Sequence, residues 1–359
     1  MLTFLGDFKP DYAVAELPFG ADAKLVANFE CAVSDQQDER AAKAWPIVFE
    51  PDVLQRLSAY PFAYLSIANN HVGDAGEHGF NLLVDGLRSQ PGFMLGGLSD
   101  EPCQILEVDG LKVALIASLE PCRARRPEIL RQEDVEAVIR KVRPDVDRVF
   151  VLPHWGKEGE YALFPAPSQR SLAKAWIAAG ADGVFGHHSH TMHGSELIDG
   201  KPVVYSLGNF LFDHEESRQH PLTRIALSVN WTPGATAAED TFEIKPITAA
   251  NGKIRYLNEQ EVAVWNGLYE RLSSMTVSGL TYSAWLRRVG PVYIPKSDKS
   301  WQKRRSANPK AWLLCLIWNC LPVTVLLRLG HWFPDKDAEA LRAAIENDLA
   351  VPLKPVESA

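Results

Sequence analysis

A layered α/β domain of mixed strand direction is predicted for residues 1–260 of this 359-residue chain. Short apolar runs alternate with helix-spaced segments up to about residue 200, an Asp-Gly dipeptide joins two apolar runs as a hairpin, and after Val203 the patterning is β only.

The strand-length runs are residues 2–5, 25–27, 63–68, 149–152 and 183–185, most of them followed by a polar turn. Between them, residues 79–88, 132–142 and 167–179 carry apolar side chains every third or fourth position, the period of a half-buried helix. Residues 104–108 and 112–117 flank Asp109-Gly110, a dipeptide that accepts the positive φ of a tight hairpin turn. The β-only part comprises residues 203–207, 224–231, 241–247 and 253–257. From 261 to 359 a helical C-terminal extension is predicted, with helices at 264–288 and 337–349. Between these lie a basic stretch, 296–305, and an apolar one, 311–329, of about membrane-span length. Asn319, Pro322 and Arg328 interrupt the apolar stretch. Two readings stay open: helices packed on the domain or in a dimer interface, or an interfacial anchor over residues 301–333 with Lys303, Arg304, Arg305 and Lys310 against anionic headgroups.

The bulk numbers narrow the function classes. With 46% hydrophobic and 23% charged residues the chain is ordinary for a globular protein, which excludes global disorder. A net charge of −8 argues against a nucleic-acid partner, which needs a basic face, and leaves room for a local pocket for an acidic substrate. The five cysteines are scattered and form no Cys-x-x-Cys pair, so neither a disulfide framework nor a thiolate zinc site is expected. The start, Met1-Leu2-Thr3-Phe4, lacks a signal-peptide pattern, and a cytoplasmic location is the expectation.

The chemistry gathers where strands end. In order these ends read Gly6-Asp7, Asn28-Phe29-Glu30, Asn69-Asn70-His71, His154-Trp155-Gly156 and Gly186-His187-His188-Ser189-His190, and Leu207-Gly208-Asn209-Phe210 closes the next run. Strand ends are where α/β folds build sites. Carboxylates, an amide and several imidazoles make a mixed oxygen and nitrogen donor set that suits manganese, iron, zinc or magnesium rather than copper(I). Ions sharing a carboxylate polarise a substrate oxygen and activate water near neutral pH.

Taken together, these motifs, with Tyr205–Phe210, resemble the CapA family of poly-γ-glutamate capsule synthesis proteins over residues 1–215. That family is similar to calcineurin-like metallophosphoesterases, so the resemblance implies a two-sheet β-sandwich flanked by helices and a centre of one or two divalent ions. It implies Asp7 on the first ion, Glu30 between ions, Asn70 and His154 on the second, and His188 and His190 divided between them. His71 becomes the acid or phosphate-facing imidazole rather than a ligand and joins Asn28 as the catalytic pair, while Asn28 and His187 also stand as candidates to orient ligands. Lys9, Trp155, His187 and Asn209 are expected to line the substrate, with a strand-end structural role as the alternative for Asn209 and a solvent-facing side chain for Lys9. Glu158, Glu160 and Tyr161 are expected at the mouth, and His193, His214 and His220 on the surface.

One departure bears on the ion count. Metallophosphoesterases carry Asp-x-His on the first strand, where this chain has Asp7-Phe8-Lys9, and an ammonium is no ligand at neutral pH. The resemblance implies a metal-dependent hydrolase acting on an anionic capsule polymer, poly-γ-glutamate or a related substrate. The alternatives are a non-catalytic assembly component docking on a membrane-associated synthase, and a phosphodiesterase for a small phosphoester.

Overall fold

A computed structural model describes residues 1–10, 16–20, 22–36, 46–121, 126–156, 162–163, 165–212, 222–250 and 253–277. The described strands are β1 (Leu2–Phe8), β2 (Lys24–Phe29), β3 (Ala32–Val33), β4 (Val48–Phe49), β5 (Phe62–Ser66), β6 (Met94–Gly96), β7 (Gln104–Val108), β8 (Leu111–Leu119) and β9 (Arg148–His154). They continue with β10 (Gly183–Phe185), β11 (Ser195–Ile198), β12 (Lys201–Val204), β13 (Asn209–Leu211), β14 (Ile225–Thr232), β15 (Thr241–Ala250) and β16 (Lys253–Tyr256). The helices are α1 (Gly76–Ser89), α2 (Val135–Val142), α3 (Pro167–Ala179) and α4 (Glu259–Val277).

Two mixed sheets form a sandwich. The first runs β16-β15-β14-β1-β2-β5-β6, with β13 also paired to β1; the second runs β11-β12-β10-β9-β8-β7. Apolar side chains split between two cores by strand period. On β8, Val113, Leu115, Ala117 and Leu119 enter the core between the sheets, while Ala114 and Ile116 enter a second core under α2 and α3. Phe150 and Leu152 of β9 likewise face inward, and Val149 and Val151 face the helices. Burial on both faces is why these strands read as unbroken apolar runs instead of alternating ones. Phe4, Phe150 and Phe185 meet across the inner core, with Phe4–Phe150 centroids 5.1 Å apart and edge-to-face.

The predicted hairpin is β7–β8, with Asp109 at φ 52° and Gly110 at φ 82°. The strands β3, β4, β6, β11 and β13, of two to four residues each, were not predicted. The run expected at 203–207 is β12 at Lys201–Val204, followed by a turn that carries Leu207 into a bridge with Met192. The helix expected from 264 starts at Glu259, since Asn258 Oδ1 accepts from the Glu261 amide and Glu261 Oε2 accepts from the Asn258 amide, a reciprocal cap. Trp265, Leu268 and Leu272 of α4 belong to the inner core, and Gly194 meets the α4 backbone at Ser273 so closely that a Cβ has no room. Residues 278–359, including the stretch 301–333, lie outside the described residues, as do Glu158, Glu160, Tyr161, His214 and His220. Among the described residues no helix is long and apolar enough to cross a membrane.

Candidate metal centre

The parallel strands β1, β2 and β5 of one sheet and β9 and β10 of the other end at the same edge of the sandwich. Asp7 on β1, Glu30 after β2, His154 at the end of β9 and the turn after β10 are thereby brought together from both sheets. Gly6 is required by this arrangement: a Cβ there would collide with the Gly208 carbonyl of the segment entering β13. That close approach sets Asn209 opposite Asp7 in the β1–β13 pairing.

Two trios of donor atoms result, Asp7–Glu30–His190 and Glu30–His154–His188, each with its atoms within 4.8 Å of one another. Glu30 is common to both. Its Oε1 lies 3.5 Å from His154 Nε2 and 3.8 Å from His190 Nε2, and His190 Nδ1 lies 3.5 Å from Asp7 Oδ2. Donors bound to one ion at about 2.0–2.2 Å stand about 3–4 Å apart, so the donor set and its spacing fit divalent cations. Asn70 Oδ1 is 2.9 Å from His154 Nε2 and adds an oxygen donor to the second trio. All the trio residues are buried. Burial, and after it the charge of the neighbouring His188 and His187 rings, holds His154 well below the ordinary imidazole value and therefore neutral, the form that ligates.

The histidine turn is held in an uncommon backbone. His188 has φ 97° and His190 φ 57°, a region where the other described non-glycine residues are Asp109 and Asp199, each before a glycine in a hairpin turn. A ring-bearing residue pays for that conformation, and such strain concentrates at functional sites. The His188 amide donates to Asp7 Oδ2 at 3.1 Å and so ties the turn to β1.

A layer of polar groups orients the donors. Asn28 Nδ2 donates to Asp7 Oδ1 at 2.8 Å and lies 3.5 Å from Glu30 Oε2 and 3.3 Å from His154 Nδ1. Asn69 supports Asn28 through Nδ2 to Oδ1 at 3.3 Å. Asn209 Oδ1 is 2.9 Å from His190 Nδ1. His71 is buried beside this cluster, and its Nδ1 lies 2.6 Å from Asp74 Oδ2. Asp74 is absent from the sequence reading; its position three residues after His71 in a turn was the available signal.

Four expectations are corrected. Trp155 does not line a substrate: it is stacked between Trp176 and Tyr205 in the core under α3, with Nε1 donating to the Tyr205 carbonyl at 2.8 Å. His187 lies behind the site, its Nε2 3.1 Å from the Leu5 carbonyl, and burial holds it below the ordinary imidazole value. His193 is buried rather than on the surface, its Nε2 2.7 Å from the Ala162 carbonyl. Lys9 does not reach solvent: its ammonium lies 5.1 Å from the Phe212 ring centroid and 5.8 Å from that of Phe49. The Phe212 ring packs at 4.4 Å on His190, so this cation sits one aromatic ring from the first trio.

Residues 8–214 match the family described as bacterial capsule synthesis protein PGA_cap. The PGA biosynthesis protein CapA of Bacillus subtilis (strain 168) is 30% identical over 245 residues, 64% of this chain and 62% of that protein. The capsule biosynthesis protein CapA of Bacillus anthracis is 26% identical over 283 residues, 71% of this chain and 65% of that protein. The matched stretch thus spans less than two thirds of these two relatives. Among solved structures, a phosphatase from Mycoplasma pneumoniae overlays at TM-score 0.42 and 10% identity, covering 69% of this chain and 92% of that one.

Proposed function

The chain belongs to the bacterial capsule synthesis protein family PGA_cap, and we propose that it is a metal-dependent hydrolase acting in synthesis or processing of an anionic capsule polymer, poly-γ-glutamate or a related substrate. The observation that carries this reading is the sharing of one buried carboxylate, Glu30, by two trios of donors at ligand spacing. A catalytic unit over residues 1–260, with the remaining chain as a lid, interface or docking segment, belongs to the same proposal.

Asp7, Glu30 and His190 would hold one cation, and Glu30, His154, His188 and Asn70 the other, with manganese, iron or zinc suited to the donors. Bound there, such cations supply Lewis acidity toward a carbonyl or phosphoryl oxygen and toward water. The remaining work falls to the chain's own side chains. Asn28 keeps Asp7 and Glu30 aligned by donating to their outer oxygens. The buried wall formed by Phe212, the Lys9 stem and the His187–Leu5 contact keeps bulk water from the back of the trios. His71, its ring fixed through Nδ1 by Asp74, would act as the acid that passes a proton to the leaving group. Lys9 would add positive charge one aromatic ring from the first trio, which favours an anionic substrate there.

The test is hydrolysis of poly-γ-glutamate by protein loaded in turn with manganese, iron and zinc, alongside His71→Ala and His154→Ala. Shortening of the polymer that needs metal and both histidines supports the reading. No cleavage with any metal removes it, and polymer binding without cleavage favours the non-catalytic assembly role.

A further inference from the structure

The residues that follow the histidine turn are held from two sides. On one side, Met192 bridges Leu207, and the His193 amide donates to the Ser206 carbonyl at 3.0 Å. A Cβ on Gly208 would stand 3.1 Å from the Met192 nitrogen, and one on Gly6 would collide with the Gly208 carbonyl. The turn is therefore stacked, through residues 206–208, against β1, the strand that carries Asp7.

On the other side stands α4. Trp265 Nε1 donates to Met192 Sδ at 3.2 Å, and both side chains are buried. Further along the helix, Ser273 Oγ accepts from the Ser195 amide at 3.1 Å, and Gly194 lies directly against the Leu272 and Ser273 backbone. Trp265, Leu268 and Leu272 share one helical face and anchor it in the inner core. Tyr269 stacks on Trp265 with centroids 4.7 Å apart and fixes the indole. Trp265 thus meets the chain two residues beyond His190, and Ser273 meets it five residues beyond.

His188 and His190 hold positive φ, at 97° and 57°, a conformation that persists only where the surroundings over-determine it. A segment packed on one side alone is free to lift and relax, and α4 supplies the second side. We propose that α4 is a positioning element of the metal centre, with Trp265 and Ser273 as the positioning residues. They act through Met192 and Ser195 and keep His188 and His190 in their strained backbone. The working unit then reaches Val277 rather than ending at residue 260. This role presupposes the metal-centre reading argued above.

The test is hydrogen–deuterium exchange on metal-stripped full-length protein, followed by calorimetric titration with Mn2+. Trp265→Phe keeps a ring and removes the indole N–H. Trp231→Phe is the matched control: Trp231 Nε1 donates to Asp240 Oδ2 at 2.9 Å at the far end of the sandwich, where Trp231 pairs with Leu2 at the start of β1. Trp265→Phe is expected to speed exchange of the His188–Met192 amides by about three- to tenfold, the factor that one lost hydrogen bond gives. It should also weaken Mn2+ binding by about tenfold. Met192→Leu, which removes the sulfur acceptor at similar volume, should reproduce both effects. Trp231→Phe should lower the melting temperature and move neither readout. Equal changes in the two tryptophan variants overturn the proposal, as does a lower melting temperature in Trp265→Phe with the turn and the Mn2+ affinity unchanged. If Trp265→Phe does not fold, Met192→Leu and Ser273→Ala decide by the same two readouts. An exchange difference in protein that binds no Mn2+, wild type included, would sink the metal-centre reading and leave the buttress standing. Tight Mn2+ binding with no exchange difference would do the converse.

Discussion

His71 Nδ1 and Asp74 Oδ2 lie 2.6 Å apart in a buried turn between β5 and α1, with Asp74 fully shielded from solvent. The same Asp74 oxygen accepts the Ile47 amide at 2.9 Å, so the pair ties the candidate acid to the segment entering β4. Asp74→Asn keeps the shape and removes the charge. Its expected effect is a loss of at least about tenfold in turnover with metal content unchanged. Asp74→Ala should in addition lower stability by about 1–3 kcal/mol, because the Ile47 amide stays buried without its acceptor. Metal analysis and urea unfolding separate the two effects, and metal loss in Asp74→Asn would argue against a role confined to His71.

Glu30 is the residue common to both donor trios. Glu30→Gln should therefore lower the affinity of both cations, whereas Asp7→Asn should affect the first trio and leave Glu30–His154–His188 able to hold an ion. Elemental mass spectrometry of the purified variants checks this. Equal metal content in Asp7→Asn and Glu30→Gln would contradict the shared carboxylate.

His193 gives a pH dependence with a definite sign. Burial pushes its pKa down to about 4, so the folded protein keeps it neutral. The unfolded chain protonates it below about pH 6.5. Its contribution is thus fully present above pH 6.5 and is lost progressively as pH falls toward 4, by about 3 kcal/mol across that window. His193→Gln retains a donor for the Ala162 carbonyl and removes the titration. Between pH 7 and pH 5 the variant should lose about 2 kcal/mol less stability than the wild type in urea melts. An identical pH slope would show that His193 is not the source.

Trp155 packs between Trp176 and Tyr205 and not on the site. Trp155→Ala should cost about 3–5 kcal/mol of stability. Trp155→Phe should cost less and leave metal content at the wild-type level. Calorimetric melting and metal analysis test this, and metal loss in a stably folded Trp155→Phe would return Trp155 to the site.

Gly6 passes against the Gly208 carbonyl with no space for a methyl group. Gly6→Ala should push β13 from β1, move Asn209 away from His190 and weaken the first trio along with the fold. A drop in melting temperature accompanied by reduced Mn2+ affinity is the expected result. Unchanged affinity would mean that the β1–β13 approach does not position His190.

The sequence by itself determined the elements that are strongly patterned over several residues. The apolar runs that became β1, β2, β5, β9 and β10, the helix-spaced segments that became α1 and α3, and the Asp109-Gly110 hairpin were legible because local conformation and burial period dictate them. The polar residues at strand ends were legible as a group, since parallel strands deliver their ends to one edge. What only the tertiary structure decided is which atoms meet. That Glu30 stands 3.5 Å from His154, on the other sheet and 124 positions onward, follows from sheet packing and strand register, neither of which is encoded locally. The same holds for Asn209 against His190, and for the burial of Lys9, His187, His193 and Trp155. Residue type tells which chemistry a side chain is capable of, but its partners and its exposure are set by contacts between segments far apart in the chain.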